Sequence, residues 1–339
     1  LGTRNKGDVV YYVNKAKDEG KAQVHVQPVL QNKKFEDLKI EDYQDKTRAF
    51  LKIQDGCNRF CTYCTIPYAR GSVCSKDPEK VLAEVKELAA NGFKEVILSG
   101  IHTASYGLDL EGNVNLINII EEIEKIDGIE RIRIGSIEPA FFTSEVIEKI
   151  KGFKKLCPHF HLSLQSGCDA TLKRMNRRYT AKEYEAAVNL LRETLPDVSI
   201  STDVIVGFPG ETEEEFNETY EYLKKIHLTK THVFKYSPRK GTKAADMPNQ
   251  LDGTVKDERS KALIELNDIN EHAFTEKFIG RVMDVLIEKE IKDKPDYYEG
   301  YTRNYIKVIV HCMSADITGK IVDVEIKEAV KDYAIANMA

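Results

Sequence analysis

A regular alternation of strand-like and helix-like segments between residues 48 and 236 constrains the fold of this 339-residue chain more than any other feature. Six short runs have the composition and length of strands: 49–53, 95–99, 131–136, 160–164, 199–206 and 231–236. Apolar residues recur at helical spacing in a segment that begins near Asp77 and in 116–126, 144–150, 181–194 and 212–226. Because parallel strands need crossover connections, this alternation predicts parallel βα units. We therefore expect an α/β protein whose six units curl into an open, partial (β/α)6 barrel.

The segments on either side of this alternation have different patterns of predicted secondary structure. A helix is expected at 255–276. After Gly280, four short strand-like runs and glycine-containing turns indicate a small β-barrel: 282–287, 297–301, 306–310 and 321–326. Before the alternation we expect a helix at 8–19, a weak edge strand at 23–29 and a charged linker at 33–45. The predicted division of the chain is therefore 1–45, 46–276 and 277–339.

The charge and the cysteine content limit the classes of protein to consider. The formal net charge is −5, so any contact with nucleic acid must use local patches. No apolar run is long enough to span a membrane, and no secretory signal follows Leu1. Three of the seven cysteines lie within eight residues. This uneven use indicates metal binding in the reducing cytoplasm, where we expect the protein to reside, and no disulfide framework.

The crowded cysteines are Cys57, Cys61 and Cys64, a C-x3-C-x2-C run that directly follows the first predicted strand. Three thiolates in one short loop can each bind one iron of a 4Fe-4S cluster. The fourth iron then lacks a protein ligand, and an open coordination site is what substrate chemistry at a metal requires. We therefore expect these residues to be both metal ligands and catalytic residues.

A structural zinc site is the main alternative for this loop. Zinc would need four ligands, usually in two pairs, and the remaining cysteines are scattered at 74, 157, 168 and 312. A disulfide would leave one of the three thiols unpaired. The spacing therefore favours the cluster over zinc.

The sequence around this loop resembles the radical S-adenosylmethionine (SAM) superfamily, whose signature is C-x3-C-x-aromatic-C with Tyr63 as the aromatic residue. It is further similar to the methylthiotransferase branch in a series of blocks: 54–57, 66–71, 98–102, 131–139, 164–167, 175–180 and 203–212. This resemblance covers most of residues 46–339. It implies that the core is a radical SAM barrel and that 277–339 is a TRAM-like RNA-binding module.

Within this branch, the Gly-Ile-His block at 100–102 and the Ser-Ile-Glu-Pro block at 136–139 are most similar to the MtaB type. That resemblance implies methylthiolation of C2 of N6-threonylcarbamoyladenosine at position 37, in the anticodon loop of tRNA. It also implies SAM and 4Fe-4S clusters as cofactors and an electron donor such as flavodoxin or ferredoxin. Isopentenyladenosine in tRNA and a ribosomal-protein side chain are the alternative substrates. A non-catalytic RNA-binding protein with a structural zinc is the alternative from another class.

The N-terminal segment departs from the family pattern. Full-length relatives carry three more cysteines in an N-terminal domain, where they hold a second cluster, whereas residues 1–45 contain no cysteine. We therefore expect residues 1–45 to be a remnant of that domain and its linker. One cluster is expected in this chain and a second in the full-length protein.

The resemblance also implies a set of cofactor-binding residues around SAM: Tyr63, Gly100, Glu138, Ser163, Gln165, Arg177 and Gly207. Tyr63 and the loop that contains Gly207 would lie near the adenine. Gly100 would lie near the methionine amino group, and Arg177 would bind the carboxylate. For Glu138, Ser163 and Gln165 ordinary capping of strand ends is an equal alternative, and for Arg177 the alternative is a surface charge.

The C-terminal module carries ten Lys and Arg against eleven Asp and Glu, so its charge gives little support for RNA binding. Aromatic and basic side chains could still stack on or pair with unpaired bases: Tyr297, Tyr298, Tyr301, Arg303, Tyr305 and Lys307. The alternative is a domain that only covers the mouth of the core barrel.

Overall fold

The computed structural model of the protein describes residues 1–29, 34–38, 47–313 and 316–339. Its helices are α1 Val9–Glu19, α2 Ile66–Arg70, α3 Pro78–Ala90, α4 Leu116–Ile123, α5 Ser144–Gly152, α6 Asp169–Arg174, α7 Ala181–Thr194, α8 Glu213–Ile226 and α9 Gly253–Glu276. Its strands are β1 Arg48–Lys52, β2 Gln54–Asp55, β3 Cys74–Ser75, β4 Glu95–Ser99, β5 Arg131–Ile134, β6 His159–His161, β7 Ser199–Val206, β8 Lys230–Lys235, β9 Val282–Glu290, β10 Tyr297–Thr302, β11 Lys307–His311, β12 Ile321–Val330 and β13 Tyr333–Met338. Four short 3-10 segments complete the set: Lys6–Asp8, Thr103–Ser105, Pro139–Phe141 and Lys243–Asp246.

Six parallel strands form the core barrel in the order β1-β4-β5-β6-β7-β8. They make two three-stranded ladders, β1-β4-β5 and β6-β7-β8. The two ladders are joined by the isolated bridges Ile132↔Leu156 and Ile137↔Leu162. Among the residues that the structure describes, β1 pairs only with β4 and β8 only with β7, so the barrel is open. The predicted partial barrel is therefore confirmed.

Helices α3, α4, α5, α7 and α8 cover the outside of this barrel because one face of each is apolar. Residues such as Val85, Ile120 and Val188 pack against strand residues that point outward, such as Leu98 and Val204, in one continuous core. Side-chain caps fix several helix starts: Asp77 caps α3, and Thr180 and Thr212 form capping boxes with α7 and α8. The inward faces of the strands are left free for polar residues.

Several short elements differ from the sequence-based expectations. The β2–β3 pair, α2 and α6 each span only two to six residues, too few to show a period in the sequence. Strand β13 was not predicted, although it pairs with both β11 and β12. The prediction of an edge strand at 23–29 is wrong, because these residues form no strand. The linker expected at 33–45 and the boundary at 45–46 fall largely outside the described residues.

The C-terminal strands close into a barrel with the order β10-β11-β13-β12-β9. This barrel contacts the amino ends of the core strands: Arg131, the first residue of β5, donates hydrogen bonds to the carbonyl oxygens of Tyr301 and Asp284 at 2.9 and 2.8 Å. At the start of β6, the ring of His159 stacks on Tyr305 with 4.6 Å between the centroids. The module therefore does not cover the barrel mouth, because the mouth lies at the opposite, carboxyl ends of the strands.

None of the described helices is both long and apolar enough to cross a membrane.

Candidate functional site

The three clustered cysteines lie in the loop between β2 and α2, at the carboxyl end of β1. Two glycines hold this loop. Gly56 has a φ of 71°, and a Cβ added to it would lie 2.0 Å from the carbonyl oxygen of Ser72. The backbone N–H of Cys57 donates to the carbonyl oxygen of Gly71 at 3.0 Å. A larger residue at position 56 would push the loop away from this returning segment.

The thiols of Cys57, Cys61 and Cys64 are half-buried, whereas the other four cysteines are buried. Each of the three sulfurs accepts one N–H group: Cys57 from Arg59 N at 3.4 Å, Cys64 from Ile66 N at 3.4 Å and Cys61 from Arg177 Nη1 at 3.3 Å. Such donors stabilise sulfur that carries negative charge. This surrounding suits thiolate ligands and distinguishes the trio from the packing cysteines.

The electrostatics of the loop fit a cationic group at its centre. Burial raises the pKa of the Cys57 and Cys64 thiols, and the neighbouring thiols raise it further. Three thiolates would therefore require positive charge among them. In the described parts of the chain, no three or more His, Cys, Asp and Glu side chains converge for a single metal ion. Three thiols in one loop match a cluster with one thiolate on each of three irons, whereas a zinc ion needs four ligands around it.

Glu138 lies beside the cysteine loop at the centre of a charged network. Its carboxylate is 2.7 Å from Arg59 Nη2, 3.1 Å from His102 Nε2 and 3.4 Å from Arg177 Nη2. Burial alone would raise the pKa of Glu138, but His102, Arg177 and Arg59 hold it below its ordinary value. The carboxylate is therefore ionised, and it links three segments of the barrel mouth.

Arg177 is buried, so it is not the surface charge that was the alternative from the sequence. Its Nε donates to the hydroxyl of Tyr179 at 2.8 Å, and its guanidinium lies 4.9 Å from the centre of that ring. Its buried Nη2 lies 3.4 Å from Glu138, but this contact is not a hydrogen bond. A guanidinium whose Nη2 lacks a well-formed hydrogen bond beside the cysteine loop fits a ligand carboxylate.

Gly100 closes the site from the carboxyl end of β4. A Cβ there would lie 2.9 Å from Oε1 of Gln54, so only glycine fits without a shift. The buried amide of Gln54 accepts from the N–H of His102 at 2.8 Å and donates to the carbonyl oxygen of Gly56 at 2.8 Å. This side chain thus joins the cysteine loop to the Gly100–His102 loop.

Tyr63 lies on the apolar side of the site. Its ring meets Phe208 edge to face, with 6.3 Å between centroids, and Phe208 packs on Tyr236 in the same way. Gly207 precedes Phe208 with a φ of 69°. Its N–H donates to the buried carboxylate of Glu211 at 2.7 Å. Phe208 and Tyr236 are buried, so the half-buried Tyr63 is the ring of this group that can contact a purine.

Ser163 and Gln165 lie further around the mouth, after β6. Ser163 Oγ is 2.8 Å from Ser136 Oγ, and its carbonyl oxygen accepts from the hydroxyl of Tyr179 at 2.6 Å. Gln165 has a φ of 74°, which is uncommon for a residue with a side chain. Its backbone bonds to β7 through the carbonyl oxygen of Asp203 at 2.8 Å.

Sequence reasoning missed Arg59, His102 and Tyr179 as members of the site. Arg59 lies inside the cysteine motif, and its partner Glu138 is distant in the sequence, so only the folded chain brings them together. The hydroxyl of Tyr179 supports Arg177 from two residues away. A polar residue directly inside or beside a ligand motif is the one signal that could have identified Arg59 and His102.

This arrangement defines a class of protein: an open parallel barrel with a three-thiolate cluster loop at its mouth and a polar, partly aromatic wall around it. Glu138 and its partners Arg59, His102 and Arg177 lie next to the thiols. Such a site suits an iron–sulfur enzyme that binds a second cofactor at the cluster.

Comparisons with known proteins agree with this class. The family model described as the radical SAM superfamily matches residues 51–223, and the TRAM domain model matches residues 276–339. The threonylcarbamoyladenosine tRNA methylthiotransferase MtaB of Bacillus subtilis is 40% identical over 336 residues, which cover 98% of this chain and 74% of that protein. The MtaB protein of Aquifex aeolicus is 41% identical over 306 residues, 89% of this chain and 74% of that protein.

A relative with a different named substrate is equally similar. The tRNA-2-methylthio-N(6)-dimethylallyladenosine synthase of Clostridium tetani is 40% identical over 326 residues, which cover 96% of this chain and 71% of that protein. The chain therefore belongs to the radical SAM superfamily and, within it, to the methylthiotransferase family, which confirms the family predicted from the sequence motifs. Membership implies a 4Fe-4S cluster and SAM as cofactors.

Proposed function

We propose that this protein methylthiolates C2 of N6-threonylcarbamoyladenosine at position 37 of tRNA. The observation that carries the proposal is the trio of half-buried, N–H-bonded thiols in a chain that is 40% identical to a threonylcarbamoyladenosine tRNA methylthiotransferase over 336 residues. The target adenosine would lie in the anticodon loop, where unpaired bases are accessible to protein side chains.

In this proposal, Cys57, Cys61 and Cys64 bind three irons of the cluster and leave the fourth iron for SAM. When bound, the reduced cluster would supply an electron to SAM and so make radical chemistry available at the target base. The chain's own residues hold the thiolates apart, donate N–H groups to them and keep Glu138 ionised beside them.

The remaining mouth residues bind and orient SAM. Arg177 would share its Nη2, which lies 3.4 Å from Glu138 without a hydrogen bond, with the SAM carboxylate, and the loop at Gly100 would face the amino group. Tyr63 and the loop that starts at Gly207 flank the adenine. Ser163 and Gln165 provide polar contacts from the strand end after β6. Glu138 acts as a positioning residue, because it orients Arg59, His102 and Arg177 together.

Further parts of the proposal concern partners and organisation. A flavodoxin or ferredoxin would supply the electron in the cytoplasm. A second cluster, bound by cysteines outside residues 1–339, would support sulfur transfer in the full-length protein. Residues 1–45, 46–276 and 277–339 would form the N-terminal remnant, the radical SAM core and the RNA-binding module.

The alternative substrate is the dimethylallyl form of the same adenosine, because the Clostridium tetani relative is also 40% identical to this chain. Mass spectrometry of tRNA nucleosides from a strain that lacks the gene tests both. Loss of the 2-methylthio form of threonylcarbamoyladenosine, restored by the gene, is expected. Loss of the dimethylallyl form alone would establish the alternative, and persistence of both forms would refute tRNA methylthiolation.

A further inference from the structure

A second cavity lies at the other end of the core barrel, between the amino ends of β6, β7 and β8 and the C-terminal barrel. Its volume is about 410 Å³. Strand residues that point into the barrel line one side, and aromatic residues of the C-terminal barrel line the other: His159, His161, Ser199, Ser201, Tyr301 and Tyr305. A cavity of this size at a domain junction is within the range of small-molecule sites.

This cavity is separate from the cluster site. His159, His161 and Ser163 alternate along one strand and its extension, and Ser163 belongs to the barrel mouth. With a rise of about 3.3 Å per residue, His159 lies roughly 13 Å from Ser163 along the strand direction. The two sites therefore occupy opposite ends of one barrel.

Polar side chains on the floor of the cavity form a chain with unused ends. His159 Nε2 is 3.3 Å from Ser201 Oγ, and Ser201 Oγ is 3.0 Å from His161 Nδ1. His161 Nε2 is 3.2 Å from a carboxylate oxygen of Asp203. His159 Nδ1 and Ser199 Oγ are buried and have no hydrogen-bond partner in the described parts of the chain. A buried polar atom without a protein partner is costly, so these two atoms require a polar group in the cavity, either water or a ligand that displaces it.

The wall contributed by the C-terminal barrel is aromatic and held in place. Tyr305 stacks on His159 at 4.6 Å and on Tyr301 at 4.7 Å between centroids. The guanidinium of Arg133 lies 4.4 Å from the centre of the Tyr305 ring on the barrel side. These contacts cover the faces of the Tyr305 ring and hold both tyrosines in fixed positions where they line the cavity.

The basic side chains that line the cavity are paired with carboxylates. Lys230 is 2.7 Å from Glu271, and Lys307 is 3.0 Å from Glu299. Burial, followed by the nearby Arg133, lowers the pKa of His159 well below its ordinary value, and burial also lowers the pKa of His232. These imidazoles are therefore neutral at pH 7 and can each donate or accept a hydrogen bond. This surrounding suits an uncharged ligand better than a free anion.

We propose that this cavity binds a nucleobase, which packs against the tyrosine wall while its polar edge bonds to His159 and Ser199. The base belongs to a free nucleoside or to an unpaired nucleotide of an RNA. This inference concerns residues remote from the cluster, so it stands or fails independently of the methylthiolation proposed above.

Isothermal titration of the full chain with adenosine, guanosine, cytidine and uridine tests the proposal, with saturating S-adenosylhomocysteine present to fill the SAM site. The matched variants are Ser199→Ala and His159→Phe, which remove a polar atom and keep most of the packing. His272→Ala, at an exposed histidine of α9 outside the cavity, is the control. Thermal unfolding of each variant establishes whether it is folded. If His159→Phe does not fold, the test is made with Ser199→Ala alone.

Saturable binding of at least one nucleoside, weakened tenfold or more by Ser199→Ala and unchanged by His272→Ala, is expected. A short unpaired oligoribonucleotide then distinguishes the sources: tighter binding than that of the free nucleoside assigns the cavity to RNA, and equal or weaker binding assigns it to a free nucleoside. No saturable binding by the unaltered chain, or binding that the Ser199 variant leaves unchanged, would overturn the proposal.

Discussion

Two buried carboxylates, one at each end of the core barrel, are surrounded by arginines in different ways. At the amino ends of the strands, Glu95 is fully buried and lies 2.9 Å from Arg133, 3.8 Å from Arg131 and 3.9 Å from Arg48. At the carboxyl ends, Glu138 is paired with two arginines and a histidine, and Arg177 Nη2 still makes no hydrogen bond among the described residues.

This difference in arginine contacts separates two roles of the barrel, which are attachment of the C-terminal domain and binding of ligands. The arginines around Glu95 are also bonded to the C-terminal barrel, for example Arg131 to Asp284, so this end joins two domains. The network around Glu138 lies next to three half-buried thiols and makes no contact with the C-terminal barrel among the ion pairs of the described residues, so this end is the one placed for cluster chemistry. In closed (β/α) barrels the same division holds, with chemistry at the carboxyl ends and stability at the amino ends.

The strongest test of this comparison removes a ligand at the carboxyl end. Cys61→Ala should abolish cluster loading, because two thiolates cannot hold three irons, while the unfolding midpoint of the apo-protein changes little. Iron analysis and iron–sulfur absorption after anaerobic reconstitution measure this effect. Cys312→Ala, a buried cysteine of the C-terminal barrel, is the control and should load normally. Normal loading of the Cys61 variant would refute the assignment of this ligand.

The next test removes the charge at the amino end. Glu95→Gln leaves three buried guanidinium groups without their shared carboxylate, so the free energy of unfolding should fall by about 3–5 kcal/mol. Urea denaturation measures the loss. The matched change Glu138→Gln should reduce SAM cleavage by tenfold or more but destabilise the chain by less than Glu95→Gln does. Equal destabilisation by both changes would remove the distinction between the two ends.

The pH dependence of stability sharpens the same test. Burial would raise the pKa of Glu95, but Arg133, Arg48 and Arg131 lower it below the ordinary value. A carboxyl with a lowered folded pKa contributes stability above its unfolded pKa of about 4.3 and loses it as the pH falls through the folded value. The unaltered chain should therefore lose stability steeply below about pH 4. Glu95→Gln should show a shallower decrease in that range, and an unchanged slope would argue against an ionised Glu95.

A smaller effect is expected from a conservative change at the mouth. Arg177→Lys keeps the charge but removes the planar fork that matches a carboxylate. The KM for SAM should rise roughly tenfold, about 1.4 kcal/mol, with a smaller change in kcat. Steady-state formation of 5′-deoxyadenosine measures both constants. Arg178→Lys, at the exposed neighbouring position, should leave them unchanged; an equal response of the two variants would exclude the proposed role of Arg177.

The smallest effect is expected where the domain junction is exposed. Arg281 and Asp197 form an ion pair at 2.5 Å, but both side chains are nearly half exposed. Exposed pairs contribute little, so Arg281→Gln should lower the free energy of unfolding by less than about 1 kcal/mol. Urea denaturation beside Glu95→Gln gives the comparison. A loss as large as that of Glu95→Gln would show that burial does not determine the strength of this junction.

The sequence predicted the parts of this molecule that depend on local pattern. The bounds of β4, β7 and α7 were predicted correctly, because runs of apolar residues or apolar residues at helical spacing define them. The partners of Glu138 were not, since Arg59 and His102 meet it only through tertiary folding. The periodicity of apolar residues also does not predict which face of the C-terminal barrel packs against the core barrel.

The placement of the C-terminal aromatic residues shows this limit. Three residues expected at an RNA surface, Tyr301, Arg303 and Tyr305, instead contact the amino end of the core barrel. Tyr298 is buried, and Tyr297 stacks on His311. A sequence shows which residues could stack on a base, but the surface that they face depends on how the two domains pack.

Metal analysis combined with SAM turnover tests the central claim most directly. After anaerobic reconstitution and reduction, residues 1–339 should bind about four irons per chain and release 5′-deoxyadenosine from SAM, and both properties should disappear when Cys57, Cys61 and Cys64 are replaced by alanine. A protein that binds zinc in place of iron, or that retains its cluster and its SAM cleavage without these three thiols, would contradict the account.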